Sequence, residues 1–327
     1  MKQLIQDFTQ HLKKALEINE STSLSAANKP ISNVLICGLG GSGIGATIIS
    51  QIVSDDANCP IVVNKDYFIP NFVGENTLVI ACSYSGNTEE TLEMLTQAEQ
   101  KNATIACITS GGKLAAISIE KNYNHILIPG GHPPRAAFGF AFPGLFQLLH
   151  HYKVITSNYA NDFNKAIDLI NNNEATLVVE ANAITEKLYK KIPVIYTSAP
   201  YEGVAVRFRQ QINENAKMLC WHHVIPEMNH NELVGWTNKN EDLAVVIFRN
   251  EDDYYRNKKR IDVNKTVFQQ YTSTIIEVHS KGQTMLQRAL YLIHLGDWVS
   301  YLLGTKNGVD IVEVDVITHL KNELAKL

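Results

Sequence analysis

The apolar, partly β-branched run Thr77-Leu78-Val79-Ile80-Ala81-Cys82 passes into Ser83-Tyr84-Ser85-Gly86-Asn87-Thr88 and then into Glu89-Glu90-Thr91-Leu92-Glu93-Met94-Leu95. The first stretch reads as a buried strand and the last as a helix. The loop between them carries the hydroxyls of Ser83, Ser85 and Thr88 around Gly86. It sits at a helix N-terminus, which offers unpaired N–H groups and the positive end of a dipole. The hydroxyls add donors without adding charge, so the stretch suits a phosphate cradle that needs no lysine. Asn87, with Glu90 three residues on, predicts a capping box. A plain helix cap and turn is the competing reading, because Ser, Asn and Thr are the usual capping residues.

The same alternation of strand, small-residue loop and helix runs through the chain. Leu4, Ile5, Phe8, Leu12, Ala15 and Leu16 lie at helical spacing, and a Ser- and Asn-rich linker follows to residue 30. Val34-Leu35-Ile36-Cys37 reads as a strand that opens into Gly38-Leu39-Gly40-Gly41-Ser42-Gly43 and a helix. This matches G-x-G-x-x-G in its proper context. The next strand, 60–64, leads to Asp66, at a spacing open to a ribose-binding acid. A nucleotide-binding oxidoreductase is therefore one reading. Against it, adjacent parallel strands would bring the Gly38–Gly43 and Ser83–Thr88 loops to one sheet edge, where two small polar loops suit a phosphate monoester with a polar tail.

Further strands are predicted at 103–109 and 125–129, the first followed by Ser110-Gly111-Gly112-Lys113 and the second by Gly130-Gly131-His132-Pro133-Pro134-Arg135. The two prolines stiffen the backbone before Arg135, which suits directional contact with an anion. An exposed arginine on a surface turn is the plain alternative. Two helical patterns joined by Asn-rich turns fill 154–190. Strands at 193–198, 243–248 and 273–279 then alternate with helices at 202–219, 254–262 and 285–303. The second half lacks the serine loop: Arg249-Asn250-Glu251-Asp252-Asp253 stands in its place and would repel phosphate. An internal duplication in which one copy kept the anion site follows. The expected architecture is α/β, with two tandem doubly wound, flavodoxin-like domains of mainly parallel sheet. Their bounds are an N-terminal helix and linker over 1–30, a first domain over 31–153, a helical bridge over 154–190 and a second domain over 191–327.

Composition narrows the function. A length of 327 residues accommodates two ordinary domains. A net charge of −4 gives no electrostatic footprint for nucleic acid. No uninterrupted apolar run is long enough for a bilayer, and the N-terminus lacks the apolar core of a signal peptide. The five cysteines follow neither a disulfide framework nor a zinc-ribbon spacing, so reduced thiols in the cytoplasm are expected. Cys220, His222, His223 and His230 invite a metal reading, but adjacent histidines rarely share one ion. No metal and no cofactor is expected. Periodicity puts Glu214 on a polar helix face with Arg207, Gln210 and Lys217, as a solvated glutamate would be. His230 lies between Asn and Glu, in a setting that could hold one tautomer. Lys321 lies in a final helix over 314–326 and looks like a surface lysine.

Taken together, these motifs resemble a known family, the sugar isomerase (SIS) domain proteins, and within it the bifunctional phosphoglucose/phosphomannose isomerases. The matching stretches are Gly38 to Gly43, Ser83 to Thr91, Ser110 to Leu114, Pro134-Arg135-Ala136-Ala137, Asn213-Glu214-Asn215-Ala216-Lys217, Asn229-His230-Asn231-Glu232 and, near the end, Val316-Ile317 with Leu320-Lys321. The resemblance implies isomerisation of glucose 6-phosphate and fructose 6-phosphate, with mannose 6-phosphate as a further substrate, through an enediolate and without metal. It implies that Ser83, Ser85 and Thr88 bind the phosphate, Gly40, Gly41 and Ser42 line the sugar, and Arg135 stabilises the enediolate. Glu214 would move the proton between C1 and C2, His230 would assist ring opening, and Lys321 would contact the substrate. It also implies a homodimer whose shared sites take His230 from the neighbouring subunit. One stretch departs from the family pattern: an Asp-Pro-Thr-Pro-like segment, whose threonine is linked to the mannose activity, is replaced by Asp310-Ile311-Val312-Glu313-Val314. A non-catalytic sugar-phosphate sensor of the same fold is the competing reading. It would have no need of Glu214, His230 and Lys321.

Overall fold

The computed structural model describes residues 1–27 and 29–326. Helices α1 (Lys2–Gln6) and α2 (Phe8–Ser21) precede β1 (Asn33–Cys37), α3 (Gly40–Ile52), β2 (Ile61–Asn64), β3 (Thr77–Ser83), α4 (Glu89–Gln100), β4 (Thr104–Thr109), α5 (Gly112–Glu120) and β5 (Asn124–Leu127). Helices α6 (Phe138–His151) and α7 (Ala160–Leu188) lead on to β6 (Ile192–Ser198), α8 (Glu202–Ala216), β7 (Trp221–Ile225), β8 (Leu243–Arg249), α9 (Tyr255–Phe268), β9 (Ile275–His279), α10 (Met285–Asn307) and α11 (Asp315–Leu324).

The strands form two parallel sheets, ordered β2-β1-β3-β4-β5 and β7-β6-β8-β9. The first has the flavodoxin-like order, and the second repeats its first four positions, as an internal duplication predicts. Alternate residues of β1 and β3 enter different cores: Val34, Ile36, Leu78 and Ile80 face one layer, Leu35 and Val79 the other. Both faces are thus covered, as a parallel sheet requires. The order reverses between β1 and β3, where Cys37 pairs with Ala81. The glycine and serine loops leave the sheet at this switch point, which is where such folds bind ligands. The two halves share one hydrophobic core. Helix α10 packs on α7 and α8, and α3 packs on α8.

Local expectations fail where tertiary contacts outweigh local signals. The N-terminal pattern is broken at Asp7 into α1 and α2. The 154–190 region holds one helix, α7, and no Asn-rich turn interrupts it. Asparagine costs only a few tenths of a kcal/mol in a helix, whereas Ile170, Leu177, Ala181, Ile184 and Leu188 are buried along α7. Strand β7 was not predicted, because polar His222 and His223 mask its period. The capping box does not form either: Thr88 is the N-cap of α4, and Asn87 Oδ1 accepts from Lys113 N at 3.0 Å.

Gly86 has φ +69°, and a Cβ there would lie 1.8 Å from the Gly111 carbonyl oxygen. Gly86→Ala is therefore expected to cost roughly 2–4 kcal/mol of stability through combined backbone strain and overlap. A urea midpoint unchanged from wild type would show that the two loops are not in contact.

Candidate active site

Ser83 ends β3 almost wholly buried, and its Oγ lies 2.8 Å from Thr88 Oγ1 and accepts from Gly86 N at 3.1 Å. Ser85 Oγ accepts from Asn87 N at 3.2 Å. The loop is thus curled around its own hydroxyls. Thr88 gives no side-chain cap to α4. The first-turn N–H groups lack intrahelical partners.

Tyr84 joins this loop to its neighbours. Its N–H donates to Ser42 Oγ at 3.1 Å, its carbonyl accepts from Ser110 Oγ at 2.6 Å, and its hydroxyl accepts from His132 N at 2.9 Å. Sequence reasoning missed this role. The only available signal was a lone aromatic ring between two serines. Gly41 lies against Pro134: a Cβ there would come within 3.0 Å of the Pro134 carbonyl oxygen. Gly40, Gly41 and Ser42 therefore border the segment that carries Arg135, and protein fills that side of the glycine loop. Asp66 Oδ1 accepts from the adjacent Tyr67 N at 2.7 Å and is accounted for as a local turn.

Arg135 is no surface residue, being only 4% exposed. Its Nε donates to Asn215 Oδ1 at 2.7 Å, and its Nη2 donates to the carbonyls of Ile311 at 2.5 Å and Val312 at 3.3 Å. Its Nη1 faces Glu214 Oε2 at 3.4 Å. Burial holds the guanidinium pKa below its ordinary value, with Glu214 and Glu313 acting in the opposite sense. An arginine remains charged regardless. The edge presented beside Glu214 is thus a fixed cation next to a carboxylate.

Glu214 is not the solvated residue that periodicity suggests. The "polar face" it shares with Arg207 is a packed one, where Arg207 is buried against α10 and pairs with Asp297 at 2.9 Å. Lys217, the left-handed C-cap of α8, donates to the Glu214 carbonyl at 2.7 Å and to that of Glu313 at 2.5 Å. It ties the helix end to the segment after α10. A carboxylate and a buried guanidinium thus lie side by side, the guanidinium on a segment that Gly41 borders and that Tyr84 ties to the serine loop. This is the equipment for moving a proton next to a carbonyl on an anionic substrate.

In the second sheet the matching place is filled by the chain's own carboxylates. Asp253 accepts from Ser198 Oγ and from Asn250 N, the latter at 3.0 Å, while Asp252 pairs with Tyr201 OH at 2.9 Å and Arg288 at 3.0 Å. The serine loop of the first sheet has no such carboxylate in its sequence Ser83 to Thr88.

Residues 30–146 match the model described as the SIS domain, and residues 178–324 match the bacterial phospho-glucose isomerase C-terminal SIS domain. A bifunctional phosphoglucose/phosphomannose isomerase of Caldicellulosiruptor bescii is 36% identical over 99% of this chain and 98% of its own. One of Thermoplasma acidophilum is 37% identical over 90% of each. The chain belongs to this isomerase family. The fold is shared more widely among SIS proteins. A solved glucosamine-6-phosphate deaminase of Thermotoga maritima superposes with a TM-score of 0.71 at 15% identity, over 95% of each chain.

Of the two other residues expected in the family site, His230 lies at the opposite edge of the second sheet. His230 is exposed and follows β7 at the carboxyl edge of the second sheet, whereas Glu214 ends α8 at the amino edge. The five residues of β7 alone separate those edges by about 16 Å. Glu232 anchors the His230 loop, accepting from Tyr196 OH at 2.5 Å and lying 2.8 Å from His223 Nδ1. His222 Nε2 lies 3.8 Å from Glu202, so the two adjacent histidines serve different carboxylates. Lys321 is exposed on α11, a helix with no buried residue, and has no ion-pair partner among the described residues.

Proposed function

We propose that this chain interconverts glucose 6-phosphate and fructose 6-phosphate, and mannose 6-phosphate as well, through an enediolate. The observation that carries this reading is the Arg135 Nη1–Glu214 Oε2 approach of 3.4 Å on a segment that the glycine loop borders. The phosphate would sit on Ser83, Ser85, Thr88 and the first turn of α4, with the sugar running past Gly40, Gly41 and Ser42. Its binding energy, remote from the reacting carbons, orients C1 and C2. Glu214 takes the proton from one carbon and returns it to the next, so one carboxylate serves both half-reactions. The Arg135 guanidinium meets the charge that develops on the enediolate oxygen. This chemistry calls on no metal. We further propose a cytoplasmic homodimer, in which the partner's His230 assists ring opening and Lys321 reaches the substrate. The opposite-edge placement of His230 and Glu214 supports the sharing, and the five free cysteines support a reducing compartment.

The test is a coupled assay of the purified protein with fructose 6-phosphate, reading glucose 6-phosphate and mannose 6-phosphate separately. Formation of glucose 6-phosphate is expected. Binding without turnover would favour a sensor, and a thermal shift with NAD but not with fructose 6-phosphate would favour an oxidoreductase. Replacing Ser83 and Thr88 together by alanine removes two neutral donors to a dianion. Each such bond contributes about 1.5–3 kcal/mol, so KM is expected to rise by at least about tenfold. An unchanged KM would move the phosphate elsewhere.

A further inference from the structure

The guanidinium of Arg135 is held from behind by a hydrogen-bond chain with a fixed polarity. Ser300, in α10, donates its hydroxyl proton to the Asp297 carbonyl at 2.8 Å. Its Oγ is then left to accept, and it takes Asn215 Nδ2 at 2.9 Å. The Asn215 amide is thereby oriented so that Oδ1 faces Arg135 Nε at 2.7 Å. A flipped amide would set donor against donor at Arg135 and acceptor against acceptor at Ser300. Neither Asn215 nor Ser300 has measurable exposure, so water does not substitute for these bonds. The close approach is built into the packing: a Cβ on Gly304 of α10 would lie 2.3 Å from the Asn215 carbonyl oxygen. The backbone at Arg135 is fixed by the same helix pair. Arg207 donates to the Arg135 carbonyl at 3.3 Å and pairs with Asp297, to which Gln211 donates at 2.7 Å.

We propose that Asn215 is the positioning residue of the site: it holds Arg135 by Nε, so that Nη1 is the edge presented beside Glu214. The proposal rests on the reading of Arg135 as the partner of the enediolate. Glu214 and Asn215 are successive residues of α8, so one turn of helix carries both the base and the side-chain bond to Nε, while the Ile311 and Val312 carbonyls hold Nη2. Misplacing a reacting group by about 1 Å costs on the order of a hundredfold in rate. Because the charge on the enediolate oxygen develops only in the transition state, the loss should fall on kcat and spare KM.

The experiment uses Asn215→Ala, Asn215→Asp, Ser300→Ala and the Asn215→Ala/Ser300→Ala double variant beside wild type. Steady-state kinetics with fructose 6-phosphate are paired with the ¹⁵N signal of the Arg135 Nε–H, assigned by its loss in Arg135→Lys. Asn215→Ala is expected to lower kcat by about 10–100-fold with KM within about threefold, and to lose the protected Nε–H signal. Asn215→Asp keeps an acceptor in place, so it should retain the signal and turn over faster than Asn215→Ala. Ser300→Ala removes a neutral bond and should cost about two- to tenfold. It should add nothing on top of Asn215→Ala, since it acts through that residue. A folded Asn215→Ala protein with wild-type kcat, or one whose Arg135 Nε–H stays protected, overturns the proposal. If Asn215→Ala does not fold, wild-type kcat in Ser300→Ala overturns it. Wild-type turnover tests the isomerase reading separately, and the Nε–H signal reports on the anchor whether or not that reading stands.

Discussion

Glu214→Gln should lower kcat by about a hundredfold or more while leaving KM close to wild type. Glutamine keeps the length, shape and hydrogen-bonding capacity of the side chain, so its approach to Arg135 Nη1, 3.4 Å in the wild-type chain, should persist. What it loses is the ability to accept a proton from carbon and hold it until it is returned. Glu313 is the other carboxylate whose charge acts on Arg135. Glu313 is drawn toward Lys217, its Oε2 3.7 Å from Nζ. The proposed phosphate contacts lie on another element, which is why substrate affinity should survive. Two measurements check the outcome: steady-state kinetics, and loss of exchange of the substrate C2 proton with solvent deuterium. Near-normal turnover with retained exchange would return Glu214 to the role that its helical period alone suggests, a side chain on a wet helix face.

The contrast between that period and the observed site shows what a sequence holds and what it does not. The strand, loop and helix around Ser83–Thr88 are local events, fixed by β-branched residues, a glycine with positive φ and small hydroxyl side chains. They were legible, and so was their meeting with the glycine loop, because parallel sheets join at switch points. Arg135 was not legible in the same way. Its burial is made by Asn215, 80 residues on, and by the Ile311 carbonyl, 176 residues on. A backbone carbonyl leaves no signature in residue type. The family resemblance singled out Arg135 and Glu214 where periodicity would have passed over both. Helix α7 was misread for a related reason. Local propensity sees Asn171-Asn172-Asn173 as turn-forming, yet Asn171 Oδ1 accepts from Thr9 Oγ1 at 2.8 Å and Asn173 Nδ2 donates to the Leu169 carbonyl at 2.8 Å, inside a continuous helix. From sequence the carboxylates after β8 read as hostile to phosphate. The structure adds that they are bonded into the protein itself, through Ser198, Tyr201 and Arg288.

Two inactive variants, Glu214→Gln and His230→Ala, should regain activity when unfolded together and refolded as a mixture. The expectation follows from the second sheet. Strand β7 carries the chain from the amino edge, where α8 ends near Glu214, to the carboxyl edge, where His230 lies exposed. The proposed dimer answers this opposite-edge placement, because a two-fold axis would set the His230 loop of each subunit over the cleft of the other. In such a dimer each site takes Glu214 from one subunit and His230 from the other. Each variant alone spoils every site and should be nearly inactive. Refolded at equal amounts, about half of the dimers are mixed by random pairing. A mixed dimer has one site with both residues intact and one with neither, so roughly a quarter of all sites should work. The readout is glucose 6-phosphate formation per active-site equivalent, with native mass spectrometry to confirm that mixed dimers are present. Recovery near that fraction assigns the two residues of one site to different subunits. No recovery in a mixture that contains mixed dimers would put them in the same subunit.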